Sequence, residues 1–138
     1  MQTIPQNLDP ARARAFFEQK ISFTTGPVEL ERAIKENENI VVVDVRAAED
    51  YAKAHLPTAI NIPKENWGNP EGLRKDQTNV VYCYTQQCHL AAHACAIFAG
   101  KGFPVMEMDG GIEAWQEHDL ETESGASSRA GGQRAFSR

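Results

Sequence analysis

The stretch IVVVDV, residues 40–45, decides the fold class of this chain. It is a run rich in β-branched residues, and Asp44 is its one polar position. Runs of this kind are typical of strands that are covered on both faces, as strands are in a parallel sheet. A second apolar run, NVVYC at residues 79–83, predicts another buried strand.

Weaker patterns surround these two runs and alternate between strand and helix. Further strands are predicted at 21–24, 59–63 and 104–108. Helices are predicted at 27–37, 47–54, 88–100 and 112–118, with a short one near 70–75. Strands that alternate with helices indicate an α/β fold, with a parallel sheet joined by right-handed crossovers.

Helical spacing selects the apolar side chains that we expect to face the core. The selected residues are Leu30, Ala33, Ile34, Leu90, Ala94, Ile97, Phe98 and Trp115. Cys95 lies on the same predicted helix as Phe98, and we expect its thiol to be packed and inert.

The beginning of the sequence predicts a short helix ahead of the main domain. Asp9 as N-cap and Pro10 at the first helical position start this helix, which covers residues 8–20. We expect Phe16 and Phe17 to pack on the domain, and binding of a partner is the alternative use of this pair.

The end of the sequence, from residue 121 onward, is small, polar and aperiodic, which predicts a disordered tail. Its arginines, Arg129, Arg134 and Arg138, are expected to be solvated, with contact to an acidic partner as the alternative. A chain of 138 residues has room for one domain. The predicted organisation is an N-terminal helical extension (1–20), one domain (21–120) and the tail (121–138).

Charge and composition exclude several classes of function. The net charge of -5 argues against nucleic acid as the main partner, because phosphate binding needs clustered Lys and Arg. No charged leader precedes an apolar run, and no apolar stretch reaches 18 residues, so neither a signal peptide nor a membrane contact is expected. Three cysteines cannot all pair within one chain, which fits a reducing compartment. The expected location is the cytoplasm.

Cys83 ends a predicted strand, and the residues YTQQ lead from it to a helix that begins near Cys88. Functional sites of open α/β sheets lie beyond the carboxyl ends of the strands. A loop that curls back there points several N–H groups inward, and such a nest binds an anion: a thiolate, a persulfide or an oxyanion substrate. The helix N-terminus is expected to lower the pKa of the Cys83 thiol. The alternative is that Cys83 is a small buried core residue.

Three separated segments resemble the rhodanese family, the sulfurtransferase domains that carry sulfane sulfur on a cysteine persulfide. They are VVVDVRAAEDYAKAHLPTAINIP at 41–63, VVYC at 80–83 and MDGGIEAWQE at 108–117. The positions that carry the likeness are Asp44, Arg46, Glu49, Tyr51, His55, Asp109, Gly110, Gly111 and Trp115. The resemblance implies a single α/β domain with a central parallel sheet of about five strands, flanked by helices. It also implies a six-residue active loop, Cys83 to Cys88.

The resemblance further implies a mechanism. Cys83 is expected to be the nucleophile that takes sulfur from a small sulfane-sulfur donor and passes it to a thiol, which can be a protein thiol, or to a cyanide-type acceptor. The amides of the loop residues would hold the sulfur, and no metal or organic cofactor is expected. Those loop residues are Tyr84, Thr85, Gln86 and Gln87.

The loop departs from the family pattern at its last position. Active members of the family commonly have an Arg there, whose guanidinium binds the oxyanion of thiosulfate, and this chain has Cys88 followed by His89. This departure leaves open whether thiosulfate is the donor. Related phosphatases have a loop one residue longer that closes on Arg. The corresponding residue here is His89, and a lone imidazole is a poor phosphate clamp.

Two uses of Cys88 are open. As a resolving thiol it would attack a persulfide on Cys83, release sulfide and leave a disulfide. Otherwise it is only the first residue of the helix. A thiol-redox protein built on Cys83 and Cys88 is one alternative to sulfur transfer, and a non-catalytic module that binds a partner through its N-terminal helix is another.

His89 and His93 lie four residues apart and share a helix face, so with the two loop cysteines they form a candidate zinc site. We do not expect a metal, because a nest around Cys83 points its thiolate inward. His89 is instead expected to support the thiolate or an incoming anion.

Asp44 and Arg46 are expected to be mainly structural: the carboxylate accepts loop amides and the guanidinium ties the neighbouring turn. Arg46 also has a possible supporting role in attracting anions to the site. His55 is expected to be a hydrogen-bonded structural residue, and Gly110 and Gly111 to permit the turn into the last helix.

Overall fold

The structure is a computed structural model that describes residues 3–127. Within them, five parallel strands form one sheet in the order β1-β5-β4-β2-β3. The strands are β1 (Thr24–Thr25), β2 (Ile40–Asp44), β3 (Ile60–Asn61), β4 (Thr78–Tyr82) and β5 (Val105–Met108). The helices are α1 (Pro10–Phe23), α2 (Pro27–Lys35), α3 (Ala48–Lys53), α4 (Leu90–Gly100) and α5 (Gly111–Glu117), and a 3-10 turn covers Lys64–Asn66. The predicted α/β fold is confirmed.

The centre of the sheet is the pair β2 and β4, which run in register from Ile40 opposite Thr78 to Asp44 opposite Tyr82. Successive side chains of a strand point to opposite faces. Accordingly, Val42 and Val80 pack into one hydrophobic cluster, with α2 and α5, and their neighbours Val43 and Val81 pack into another, with α4. The uninterrupted apolar runs exist because both faces of these two strands are buried.

Most of the expected core residues are buried, and the exceptions lie on α4 and α2. Trp115, Phe98 and Ala94 are fully buried, whereas Ile97, expected to face inward, is 41% exposed. Leu90, at the start of α4, and Ala33, on α2, are half-buried.

Two predicted elements differ from the structure. Residues 21–23 continue α1 instead of forming a strand, and the hydroxyls of Ser22 and Thr24 donate back to the carbonyls of Glu18 and Lys20. The short helix near 70–75 is wrong: Gly72 has a φ of 106°, which a right-handed helix does not accommodate.

Helix α1 has no buried residue, so the prediction that its phenylalanines pack on the domain is wrong. Phe16 and Phe17 are 58% and 54% exposed and contact each other edge to face, with ring centroids 4.9 Å apart. The other helices already cover both faces of the sheet, and α1 lies at the sheet edge against β1 and β5.

Residues 121–125, which the sequence assigns to the tail, are hydrogen-bonded to the domain. His55 and Glu123 exchange two backbone hydrogen bonds of 2.8 Å, and the Gly125 amide donates to the Ala52 carbonyl. The Trp115 indole N–H donates to the Glu121 carbonyl. The predicted start of the tail is therefore too early, and its arginines at 129, 134 and 138 lie outside the described residues.

His55 holds this C-terminal segment from inside the domain. Its ring is fully buried, stacks on Tyr51 at 3.8 Å between centroids, and places Nδ1 2.7 Å from the Tyr51 carbonyl oxygen. Nε2 lies 3.9 Å from the Glu123 carboxylate. The structural role predicted for His55 is confirmed.

Candidate active site

The loop that contains Cys83 begins where β4 ends, and the first turn of α5 holds it. The amide of Ile112 donates to the Cys83 carbonyl at 3.0 Å, and the amide of Glu113 donates to the Tyr84 carbonyl at 3.1 Å. N-terminal helix amides have no partner within their own helix. Here two of these amides fix the start of the loop, a contact that the sequence pattern does not predict.

Two glycines make this close approach possible. Gly110 and Gly111 have φ values of 86° and 64°, a region that disfavours residues with a Cβ. A Cβ on Gly111 would lie 2.4 Å from the Tyr84 carbonyl carbon, so the loop and the helix would have to separate. The turn predicted at these glycines is confirmed, and the loop contact is a second reason for Gly111.

The loop then curls back, so that its last residue returns to its first. The Cys88 amide donates to the Thr85 carbonyl at 3.2 Å, and the Cys83 thiol donates to the Cys88 carbonyl with an S–O distance of 3.6 Å. Cys83 is 2% exposed and Cys88 is half-buried, whereas Gln86 and Gln87 are exposed. Helix α4 begins at Leu90, two residues later than predicted.

Backbone amides converge on both sulfurs of this loop. The amides of Tyr84 and Ala91 interact with the Cys83 sulfur, and those of Leu90, Tyr84 and Thr85 interact with the Cys88 sulfur. The two side chains also influence each other's pKa. The nest that the sequence predicts around Cys83 is present, and Cys88 shares it.

The surroundings of the two thiols shift their pKa values in opposite directions. Burial and the hydrogen bond with Cys88 raise the pKa of Cys83 to about 11, although the Tyr84 and Ala91 amides oppose this. Burial also acts to raise the pKa of Cys88, but the Cys83 hydrogen bond and the three loop amides outweigh it and lower that pKa. The predicted lowering of the Cys83 pKa is wrong, because burial and the hydrogen bond with Cys88 outweigh the amides that act to lower it.

Tyr84, the residue after the nucleophile candidate, is tied to the start of α3. Its hydroxyl donates to the Asp50 carboxylate at 2.6 Å and accepts the Ala47 amide at 3.2 Å. Its ring lies under the Arg46 guanidinium, 5.5 Å from ring centroid to guanidinium carbon. Nothing in the sequence pattern indicates these partners of Tyr84.

Asp44 and Arg46 form a buried network beside the loop. The Asp44 carboxylate is fully buried and accepts the Arg46 amide at 2.8 Å, the Arg46 guanidinium at 2.8 and 3.1 Å, and the Tyr82 hydroxyl at 2.5 Å. The guanidinium also donates to the Ala54 carbonyl. The structural role predicted for this pair is confirmed. Arg46 reaches the loop only through the Tyr84 ring.

His89 lies at the loop's end and is exposed. Two acidic residues lie near it: burial and the charge of Asp109 raise the pKa of Glu107, and His89 partly offsets this. His93 is exposed as well, and residues 3–127 contain no group of three or more His, Cys, Asp or Glu side chains placed to hold a metal ion.

Residues 26–118 match the family model described as the rhodanese-like domain. The chain belongs to the rhodanese-like domain family. It is 31% identical over 103 residues to a thiosulfate sulfurtransferase of Pseudomonas putida, which covers 72% of this chain and 92% of that protein. It is also 34% identical over 93 residues to an HTH-type transcriptional regulator of Mycobacterium tuberculosis, covering 67% of this chain and only 41% of the regulator.

Solved structures agree with this rhodanese-like fold. A Bacillus halodurans protein is 38% identical and superposes with a TM-score of 0.77 over 86% of this chain and 89% of its own. The 3-mercaptopyruvate sulfurtransferase of Escherichia coli, at 21% identity, shares the fold with a TM-score of 0.67 over 77% of this chain and 53% of its own. No helix within residues 3–127 combines the length and apolar character that a membrane span requires.

Proposed function

We propose that this rhodanese-like domain is a sulfurtransferase that carries sulfane sulfur as a persulfide on Cys83. The observation that supports it most strongly is the placement of the Cys83 sulfur: it lies beyond the carboxyl end of β4, in contact with the amides of Tyr84 and Ala91. Amides arranged in this way stabilise a negative charge that develops on sulfur without a metal or an organic cofactor.

In the first step the Cys83 sulfur attacks the sulfane sulfur of the donor. The Cys83 S–H donates to the Cys88 carbonyl oxygen at 3.6 Å in the resting loop, and its proton is lost to solvent as the attacking thiolate forms. The donor S–S bond breaks and the donor leaves as a thiolate. In the second step an acceptor thiolate attacks the outer sulfur of the persulfide and returns Cys83 as a thiolate.

The charges around the loop favour a donor without a strongly charged oxyanion. Residue 88 carries no guanidinium, and the guanidinium of Arg46 is already bonded to Asp44 and Ala54. Glu107 lies close enough to His89, at the loop's end, for the two charges to interact. We therefore propose a persulfide or polysulfide of a small thiol as donor and a thiol, free or on a protein, as acceptor. Nucleic acid is not a proposed partner, and the cytoplasmic location stays a prediction.

The test is the intact mass of the reduced protein after exposure to glutathione persulfide and, separately, to thiosulfate. The Cys88→Ser variant is the main sample, because only Cys83 of the loop pair can then hold sulfur, and Cys83→Ser is its control. We expect a gain of about one sulfur mass with the persulfide donor, absent in Cys83→Ser. A folded Cys88→Ser protein that gains no mass with either donor would contradict the proposal.

A partner-binding module is the second candidate, and the exposed phenylalanines of α1 favour it. Phe16, Phe17, Ile21 and Phe23 are each more than half exposed. Exposed apolar patches of this kind mark interaction sites. This function becomes the preferred one if Cys83 takes up no sulfur.

A further inference from the structure

Cys88 has more contacts with the reactive sulfur than its place at the end of a loop requires. Its carbonyl accepts the Cys83 thiol at 3.6 Å, and the two thiol side chains lie close enough to shift each other's pKa. Its backbone turns back through the hydrogen bond from the Cys88 amide to the Thr85 carbonyl. The two sulfurs are therefore neighbours in the resting protein, as atoms that form a disulfide must be.

The same contacts create competition when Cys83 carries sulfur. The outer sulfur of a persulfide is an anion, and the Tyr84 amide that would bind it also contacts the Cys88 sulfur. The persulfide and the Cys88 thiol therefore compete for the Tyr84 amide, which keeps the two groups side by side. Cys88 is held against the persulfide within the same loop, and such positioning corresponds to a very high effective concentration of attacking thiol.

We propose that Cys88 attacks the Cys83 persulfide and releases its outer sulfur as sulfide, so that this site also reduces sulfane sulfur. The inference rests on the proposed persulfide on Cys83. It adds an internal reducing thiol at the loop position where active members of the family commonly have a guanidinium.

The step balances as follows. The Cys88 sulfur forms a bond to Sγ of Cys83, the bond between Sγ and the outer sulfur breaks, and the outer sulfur leaves as hydrosulfide with the proton of the Cys88 thiol. The two cysteines are oxidised to a disulfide by two electrons, and the sulfane sulfur is reduced by the same two electrons. A dithiol reductant then converts the disulfide back to two thiols and becomes oxidised itself.

The third cysteine supplies a matched control. Cys95 lies on α4, its thiol donates to the Met106 carbonyl at 3.9 Å, and burial raises its pKa to about 12. The charge of Cys83 acts on this thiol as well, but Cys95 takes no part in either proposed step. A Cys95→Ala variant therefore removes one thiol and keeps the proposed pair.

The experiment adds one equivalent of glutathione persulfide to the reduced protein and follows intact mass and free sulfide over time. Wild type and Cys95→Ala are expected to gain about one sulfur mass, then to release close to one equivalent of sulfide as their mass falls to two hydrogens below the reduced form. Cys88→Ser and Cys88→Ala are expected to keep the added sulfur and release at least tenfold less sulfide. A dithiol should restore the two hydrogens in the wild type.

A wild-type protein that keeps its added sulfur as long as Cys88→Ser does would overturn the resolving role while leaving the persulfide proposal intact. Sulfide release from Cys88→Ala at the wild-type rate would overturn it as well. If no variant gains sulfur, the proposed function fails and this inference fails with it.

Discussion

Two strand ends lie side by side in this protein and have opposite chemistry. Asp44 ends β2 directly opposite Tyr82, the last residue of β4, and Cys83 follows Tyr82. At the β2 end one carboxylate and one guanidinium neutralise each other, and both form further hydrogen bonds with neighbouring groups. At the β4 end two thiols share one set of amides. The buried ion pair at the β2 end is suited to a structural role. The two thiols at the β4 end, whose pKa values are shifted in opposite directions, are suited to reaction.

Removing the carboxylate at the β2 end should have the largest effect on stability. Asp44→Asn leaves the Arg46 guanidinium buried without its counter-charge, and breaking such a buried pair costs roughly 3–5 kcal/mol. Urea denaturation would measure the loss in the free energy of unfolding. Asp76→Asn removes the partner of Arg74 in an exposed pair and should change stability little. Equal losses in the free energy of unfolding would show that the buried Asp44–Arg46 pair stabilises the fold no more than the exposed pair does.

The contact between the loop and α5 should come next. Gly111→Ala places a Cβ against the Tyr84 carbonyl at a positive φ, and we expect it to lower the free energy of unfolding by roughly 2 kcal/mol or more. It should also slow sulfur loading, because the loop loses its support. Gly100→Ala is the matched control, since nothing lies within 4 Å of its Cβ position, and its stability should stay within about 1 kcal/mol of wild type. A Gly111→Ala protein as stable as Gly100→Ala would show that the close approach is not required.

A guanidinium at residue 88 should give the end of the loop a positive charge that binds an anionic donor. We expect Cys88→Arg to use thiosulfate at least tenfold faster than the wild type, since a charge-assisted hydrogen bond contributes about 1.5–3 kcal/mol. Initial rates with thiosulfate and a cyanide or thiol acceptor would measure this. Cys88→Lys adds the charge without the planar fork and should gain less. Thiosulfate use unchanged in both variants would contradict the assignment of residue 88 to donor selection.

The smallest expected effect concerns the acidity of Cys83. Alkylation needs the thiolate, so its rate at Cys83 in the wild type should rise with pH until the pKa of about 11 is reached. Cys88→Ala removes the hydrogen bond and the repulsion that help to raise this pKa, which shifts the rise to lower pH. A shift of one pKa unit makes Cys83 about tenfold more reactive at pH 8. Fragment-ion mass spectrometry after iodoacetamide pulses would locate the labelled cysteine. A pH profile of Cys83 alkylation that is the same in the wild type and in Cys88→Ala would show that Cys88 does not affect the pKa of Cys83.

The sequence was sufficient for the sheet and for the position of the loop, because both depend on local pattern. The runs around Val42 and Val80 indicate strands buried on two faces, and Gly110 and Gly111 mark the turn before α5. The acidity of Cys83 was predicted in the wrong direction. The prediction rested on the helix N-terminus, whereas burial of the Cys83 thiol has the largest effect on its pKa and the interaction with Cys88, five residues later, adds to it.

Other features depend on distances between segments that no local pattern encodes. The Tyr84 hydroxyl finds Asp50, and the Glu123 backbone finds His55, across 34 and 68 positions of sequence respectively. The exposure of Phe16 could not be foreseen either. The sequence of α1 predicts a capped helix with two phenylalanines. It does not show whether the domain has an apolar surface left on which they could pack.

The central claim is that Sγ of Cys83 accepts the sulfur, and one measurement tests it most directly. Cys88→Ser protein is loaded with glutathione persulfide, the free thiols and the persulfide are alkylated, and fragment ions locate the added sulfur among the remaining cysteines. The account predicts one added sulfur, on Cys83, and none on Cys95. Added sulfur on Cys95 alone, or none on a folded protein, would contradict it.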